Sequence, residues 1–171
     1  MAHVEAGLRT AKLQARWAEE ANRRLTAVLT RLHFAPTESA RHNLLAEGVA
    51  DAAICVTGNT VVDALQWMCQ HLEELGWQPP AGALAQLPEG APLVLITGHR
   101  RESFGDGFAQ ICQALAELAR RYPQVQFVYP VHLNPQVQEP VHRLLDGIAN
   151  LQLLPPQDYR HFVWLMQRAS L

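Results

Sequence analysis

The chain has 171 residues, of which 49% are apolar and 18% are charged, and its formal net charge is −2. This length suits one domain or two small units, and so high an apolar content excludes a disordered chain. The slight negative charge gives no electrostatic reason to expect nucleic acid or an anionic membrane as a partner.

The first part of the chain contains three predicted helices and one predicted strand. Apolar residues recur with a helical period over residues 17–32. Thr37 is a typical N-cap and Gly48 a typical helix stop, which predicts a helix from Thr37 to about Glu47. Residues 53–57 form a short apolar run that predicts a buried strand, and another helix is predicted from Thr60 to about Leu75.

The second part begins after residues 76–92, a segment with four prolines and three glycines that is predicted to be a linker or surface loop. Predicted strands at 93–97, 125–129 and 151–154 then alternate with predicted helices at 107–120, 136–145 and from Asp158 through Met166. Such alternation predicts βαβ units, and therefore a three-layer α/β/α arrangement in which helices cover both faces of a parallel sheet. The helix at 107–120 is expected to bury one face: Phe108, Ile111, Cys112, Leu115 and Ala119.

Cysteine use and hydropathy favour a cytoplasmic protein without a membrane segment. Cys55, Cys69 and Cys112 are widely separated and odd in number, which argues against a disulfide framework or a cysteine-based zinc site. The apolar runs are far shorter than the roughly 20 residues of a membrane span. The first residues also lack the pattern of a signal peptide.

Residues 97–107 carry the strongest candidate ligand site. They join a predicted strand to the next helix, and ligands of parallel α/β sheets bind at such strand ends. Glycines allow close backbone approach, and His99, Arg100 and Arg101 supply donors for phosphate oxygens. One interpretation is a diphosphate site in which His99 stabilises a departing anion. Arginines that pair with carboxylates, beside a histidine that packs in the loop, explain the same residues equally well.

Glu5 and Glu19 are candidate acid–base groups. Glu5 follows a strand-like start, and Glu19 lies in the first turn of a predicted helix. Two carboxylates from different elements in one cleft could remove a proton from carbon and return one. The spacing alone favours a structural role, because glutamates suit the first turn of a helix and Glu20 could pair with Arg23 or Arg24.

His132 follows the predicted strand at 125–129 and could reach a ligand, although a structural role is the simpler interpretation. Asn134 is predicted to cap the helix that begins near Pro135. The remaining histidines show no ligand-like spacing and are predicted to be surface or packing residues: His33, His42, His71, His142 and His161. The sequence has no Walker A loop, no Gly-x-Gly-x-x-Gly and no Gly-x-Ser-x-Gly elbow.

Seven stretches, taken in order, carry a resemblance: HVEAGLRT, WAEEANRRLT, HFAPTESARHNLLAEGV, TGNTVVDAL, LVLITGHRRESFGDGF, VYPVHLNPQV and LPPQDYRHFVWLM. Together they resemble the non-hydrolysing UDP-N-acetylglucosamine 2-epimerases over nearly the whole chain. The ordered series is much more specific than any one motif.

The resemblance implies parts of the two Rossmann-like domains of a GT-B fold. Residues 1–57 would be the C-terminal part of the N-terminal domain, 58–92 a hinge helix and linker, and 93–171 the first half of the C-terminal nucleotide-binding domain. The family's Gly-Thr-Arg-Pro-Glu and Asp-Ser-Gly-Gly segments would lie before and after these residues. The chain is therefore expected to be an internal fragment that is inactive alone.

The resemblance also implies an isomerase that interconverts UDP-N-acetylglucosamine and UDP-N-acetylmannosamine by elimination and re-addition of UDP. Catalytic roles fall on Glu5, Glu19 and His99, and substrate-binding roles on Arg9, His99, Arg100 and Arg101. An allosteric substrate-binding role falls on Arg100 and His132. No cofactor is expected, neither metal nor nicotinamide. The expected partners are UDP-N-acetylglucosamine and UDP, and the parent protein is expected to be a homodimer.

Residues 10–19 depart from the family pattern. The family usually has Gly-Asp after the threonine and Pro-Trp-Pro before the paired glutamates, where this chain has Ala11-Lys12 and Arg16-Trp17-Ala18. Loss of proline and glycine frees the loop that aims Glu19, so the placement of Glu19 is open. The alternatives are a GT-B glycosyltransferase with a similar UDP site and a non-catalytic nucleotide-sugar-binding remnant. The glutamates favour epimerisation over transfer.

Overall fold

The computed structural model describes residues 1–9, 19–98 and 106–171, which divide into two compact units, Met1–Trp67 and Met68–Leu171. Each unit contains one three-stranded parallel sheet, so the predicted α/β class is confirmed. In chain order the elements are β1 (Ala2–Val4), α1 (Glu19–Leu29), β2 (Leu32–Ala35), α2 (Glu38–Ala46), β3 (Ile54–Val56), α3 (Thr60–Glu74), β4 (Leu93–Leu95), α4 (Asp106–Arg121), β5 (Gln126–Pro130), α5 (Pro135–Leu145), β6 (Leu151–Leu154) and α6 (Tyr159–Arg168).

The first unit has the strand order β1-β2-β3. Its α2 begins as predicted, because the Thr37 side chain accepts a hydrogen bond from the backbone N–H of Ala40 at 3.1 Å. The core is small and lies between the sheet and α2: Ala6, Ala35, Ala40 and Leu44. The prediction of a buried strand at 53–57 is wrong on burial, since Cys55 and Val56 are exposed on β3 at the edge of the sheet.

The second unit has the strand order β4-β5-β6, and α4 and α5 pack together on one face of it. Their apolar stripes cover Phe127 and Tyr129 of β5. The predicted face of α4 is confirmed except for Ile111, which is exposed. The stripe that is buried follows positions 108, 112, 116 and 119, and at 100° per residue Ile111 falls to one side of it.

The other face of this sheet is covered as well. Leu93 and Val128 are buried outside the α4/α5 cluster, and α6 packs against β4. After α6 the backbone joins the free edge of β4, where the Ser170 N–H donates to the Leu93 carbonyl at 2.8 Å and the Leu95 N–H donates to the Leu171 carbonyl at 2.9 Å. Helix α6 therefore carries the chain from β6 at one edge of the sheet to β4 at the other.

Side-chain caps define the starts of α5 and α6 as predicted. Asn134 accepts from the Gln136 N–H at 3.0 Å, and Asp158 accepts from the His161 N–H at 2.9 Å. Helix α5 continues through Pro140 without a new start. The proline-rich segment before β4 is held to its unit by the buried side chains of Leu84 and Leu87, so part of it packs as core. No helix in the described ranges is long and apolar enough to span a membrane.

Candidate functional site

The turn after β1 presents Glu5 in an uncommon backbone conformation. Glu5 has φ 62°, in the left-handed region that a residue with a side chain rarely adopts. The next residue, Ala6, is fully buried and its N–H donates to the Phe34 carbonyl on β2 at 2.9 Å. A strained residue is maintained only where its surroundings hold it, and such residues concentrate at functional sites.

Gly7 fixes the same turn against α2. Its φ is 82°, and a Cβ atom at this position would lie 2.2 Å from the Ala40 carbonyl oxygen. The Asn43 side chain donates to the Gly7 carbonyl at 2.9 Å. No residue other than glycine fits here, so the close approach to α2 sets the path of the backbone that carries Glu5.

Glu5 and Glu19 meet at the Arg23 guanidinium. Arg23 Nη2 lies 3.5 Å from Glu5 Oε2, and Arg23 Nε lies 3.3 Å from Glu19 Oε1. Arg23 Nη1 also donates to the Glu5 carbonyl at 3.1 Å. The Glu5 and Glu19 side chains are 42% and 49% exposed. The two predicted acid–base carboxylates are thus brought together from different elements and remain open to solvent.

Glu20, the neighbour of Glu19, is buried instead, with an exposed fraction of 2%. Its carboxylate lies 3.2 Å from Arg24 Nε, which confirms one of the two predicted pairings, and 3.8 Å from Arg9 Nε. The other predicted partner, Arg23, binds Glu19.

Arg9 forms a bidentate pair with Glu47 at the end of α2, with nitrogen–oxygen distances of 2.7 and 2.6 Å. This pair raises the pKa of Arg9 and lowers the pKa of Glu47. Arg9 Nη1 donates to the Leu8 carbonyl, and the side chain is only 7% exposed. All these contacts are internal to the chain, whereas the predicted contact of Arg9 with substrate stays a prediction.

A pair of histidines lies beside these charges and was missed in the sequence. His3 and His33 are direct neighbours on β1 and β2. Among the described residues, the buried Nδ1 atoms of both have no hydrogen-bond partner. Burial lowers the pKa of both, and the positive charge of Arg23 lowers that of His3 further. The available signal in the sequence was a histidine beside an apolar residue in each of two short segments, His3 beside Val4 and His33 beside Phe34.

In the second unit, Tyr129 holds the backbone at the end of the segment that follows β4. Its hydroxyl donates to the Gly98 carbonyl at 2.8 Å, and burial raises the pKa of Tyr129 to about 12. The hydroxyl therefore stays protonated and remains a donor. Gly98 precedes His99, Arg100 and Arg101, and these three predicted site residues lie outside the described ranges.

His132 lies in the turn between β5 and α5. It is exposed, and its Nδ1 accepts a hydrogen bond from the Asn134 N–H at 3.0 Å. Its predicted allosteric role stays a prediction. Within the described residues, no three side chains of His, Cys, Asp or Glu are grouped as metal ligands would be.

The sequence matches one protein-family model from end to end. The model describes the UDP-N-acetylglucosamine 2-epimerases, and it covers residues 1–171. The chain belongs to the UDP-N-acetylglucosamine 2-epimerase family.

Named relatives of this family are similar over almost the whole chain. The UDP-N-acetylglucosamine 2-epimerase of Yersinia pestis is 56% identical over 173 residues, and that of Escherichia coli K12 is 52% identical over 172 residues. In each case 99% of this chain is covered but only 46% of the relative. The chain spans about half the length of these epimerases.

Solved structures of other proteins share the fold. The crystal structure of the Neisseria meningitidis enzyme bound to UDP-GlcNAc superposes with a TM-score of 0.88 at 45% identity, covering 98% of this chain and 46% of that one. A Staphylococcus aureus structure with UDP gives a TM-score of 0.87 at 33% identity, covering 99% of this chain and 45% of that one. The GT-B-type partial fold predicted for this chain is thereby confirmed.

Proposed function

We propose that the full-length version of this chain is a UDP-N-acetylglucosamine 2-epimerase of the non-hydrolysing type, with UDP-N-acetylglucosamine and UDP as its ligands. The observation that carries the proposal is the meeting of Glu5 and Glu19 at Arg23, in a chain that matches the family throughout. Both carboxylates are partly exposed, so a sugar ring could approach them.

The proposed chemistry uses the carboxylates for proton transfer at C2 of the sugar. One glutamate removes the C2 proton as the C1–oxygen bond breaks and UDP leaves with the bonding electrons, which produces a glycal. UDP then adds back at C1, and a carboxylic acid returns a proton to C2 from the opposite face. Two carboxylates held on one guanidinium from different elements suit this two-sided transfer.

The departing diphosphate is assigned to the second unit. In the proposal His99 stabilises the leaving UDP, while Arg100 and Arg101 bind its phosphate oxygens. Arg100 and His132 are proposed for an additional substrate-binding allosteric site. The support for this half is the family match and the sequence of residues 97–107.

Solvent exchange tests the proposal directly. Full-length protein incubated with UDP-N-acetylglucosamine in deuterium oxide is expected to incorporate deuterium at C2 and to form UDP-N-acetylmannosamine, both detected by NMR. Transfer of the sugar to an acceptor without exchange at C2 would instead indicate a GT-B glycosyltransferase. Tight UDP binding without any turnover would indicate a non-catalytic binding protein.

Residues 1–171 alone are expected to be inactive, because they span about 46% of the length of the epimerases that they match. Detectable epimerisation by the isolated chain would contradict this. We further propose a cytoplasmic homodimer for the full-length protein. Light scattering of the purified full-length protein and fractionation of its host cells test these two assignments.

A further inference from the structure

Two adjacent glutamates at the start of α1 have opposite surroundings. Glu19 is half-exposed and shares Arg23 with Glu5, whereas Glu20 is 2% exposed and faces inward. Successive residues on a helix point about 100° apart. Arg23 lies one turn after Glu19 on the same helix, so the rotation of α1 that buries Glu20 is the rotation that directs Glu19 and Arg23 together towards Glu5.

Glu20 belongs to a closed ring of four alternating charges, formed by Arg9, Glu20, Arg24 and Glu47. Glu20 contacts Arg9 at 3.8 Å and Arg24 at 3.2 Å. Glu47 contacts Arg9 at 2.6 Å and Arg24 at 4.0 Å. The ring joins the turn after β1, the first two turns of α1 and the end of α2, so it fixes three elements at one point.

The charge ring is balanced, with two carboxylates and two guanidinium groups. A buried carboxylate is stable only when it is paired, and removing one partner leaves an uncompensated charge. The inward orientation of Glu20 is therefore strongly determined by Arg9 and Arg24, while the bidentate fork to Glu47 determines the orientation of Arg9.

Building on the proposed function, we propose that Glu20 is a positioning residue for the reaction: through the charge ring it sets the rotation of α1 that holds Glu19 opposite Glu5. Arg9 acts within the same ring, and the substrate contact that the resemblance implies for it stays a separate prediction.

The test is the Glu20→Gln variant of the full-length protein, which keeps the size of the side chain but removes its charge. A displacement of about 1 Å can reduce a reaction rate by about a hundred-fold. We therefore expect kcat for epimerisation and the rate of C2 deuterium exchange to fall together by about 10- to 100-fold. KM is expected to change by less than about three-fold, since Glu20 does not touch substrate.

Glu38→Gln is the matched control. Glu38 forms a carboxylate–guanidinium pair with Arg41 at 3.2 Å, but its side chain is 64% exposed at the start of α2. The same change of charge there is expected to leave both rates unchanged. The double variant Arg9→Gln, Glu20→Gln is expected to lose less activity than the product of the two single losses, because both changes break one ring.

The outcomes separate the two proposals. If Glu20→Gln exchanges deuterium at the rate of the wild type and keeps a normal kcat, even with a lower melting temperature, the ring only stabilises the fold. That result would overturn the positioning role alone. Absence of exchange in the wild type would overturn both proposals. If Glu20→Gln does not fold, Arg24→Gln removes a half-exposed corner of the ring, and a kcat loss of about three- to ten-fold is expected. Unchanged kcat there would also contradict the proposal.

Discussion

The Tyr129 hydroxyl lies 2.8 Å from the Gly98 carbonyl oxygen and donates a hydrogen bond to it. Tyr129 comes from β5 and Gly98 from the segment after β4, so one buried hydroxyl couples two neighbouring strand ends. A Cβ atom on Gly98 would lie 2.9 Å from that hydroxyl oxygen. The phenol ring is buried and cannot swing away, so the contact requires glycine at position 98.

Replacing Tyr129 by Phe is expected to lower the free energy of unfolding of the second unit by about 1–3 kcal/mol, because the partly buried Gly98 carbonyl loses its donor. Urea titration followed by tryptophan fluorescence measures the change. Tyr122→Phe, which alters an exposed tyrosine, is the control. Gly98→Ala is expected to lower the free energy of unfolding of the wild type, and to lower it by less when Tyr129 is already replaced by Phe. Equal decreases in the two backgrounds would contradict the contact.

Gly7→Ala is expected to prevent stable folding of the first unit or to cost more than about 3 kcal/mol. The change combines a positive φ with a Cβ atom placed 2.2 Å from a backbone oxygen. Gly48→Ala is the matched control, because its φ is 86° but no atom lies within 4 Å of the added carbon. That control is expected to cost about 1 kcal/mol. Similar losses for the two variants in thermal melts would show that the α2 contact is unimportant.

Glu5→Gln and Glu19→Gln are each expected to reduce C2 deuterium exchange in the full-length protein by about 10²- to 10⁴-fold, the range associated with loss of an acid–base group. UDP binding by titration calorimetry is expected to remain close to that of the wild type. Arg23→Met is expected to lower exchange as well, because both carboxylates lose the guanidinium that holds them. Full exchange by either glutamine variant would remove that residue from the proposed chemistry.

His3 and His33 are expected to make the first unit less stable in mild acid. Both have lowered pKa values in the folded state, chiefly through burial. Below about pH 6.5 the unfolded chain takes up protons that the folded chain resists, so the free energy of unfolding falls as the pH decreases from there. Above that pH both states are neutral at these rings, and their contribution does not vary.

His33→Phe tests this expectation. The variant removes one of the two titrating rings, so its melting temperature is expected to depend less on pH between 7.5 and 5.5 than that of the wild type. The melting temperature of the variant should therefore increase relative to that of the wild type as the pH falls. A difference that stays constant over this range would show that His33 protonation does not contribute.

Local signals accounted for much of the fold. Thr37, Asn134 and Asp158 are N-caps that act within three residues of their position, and the structure confirms each of them. The alternation of short apolar runs with helices likewise predicted the parallel sheet of the second unit. Such features depend on the chain over a few residues, so they can be inferred without knowing the tertiary structure.

The features that sequence did not disclose depend on residues far apart in the chain. Glutamate in the first turn of a helix is usually a surface residue, and the burial of Glu20 involves Arg9, which lies eleven positions earlier in the chain. The exposure of β3 follows from its place at the edge of the first sheet, which no local pattern of residues 53–57 encodes. Pairing of His3 with His33 required the register between β1 and β2.

The hydrogen bonds of Ser170 and Leu171 with β4 determine where the second sheet can receive a ligand. From β4 the chain adds β5 and then β6 on one side, and after α6 it returns to the opposite side of β4. The direction in which the chain adds segments to the sheet therefore reverses at β4. In open parallel sheets a crevice forms at such a reversal, beyond the carboxyl end of the strand concerned. That end leads directly to Gly98. The location of the proposed nucleotide site would then be a consequence of chain topology, and changes to side chains around it should alter its affinity without moving it.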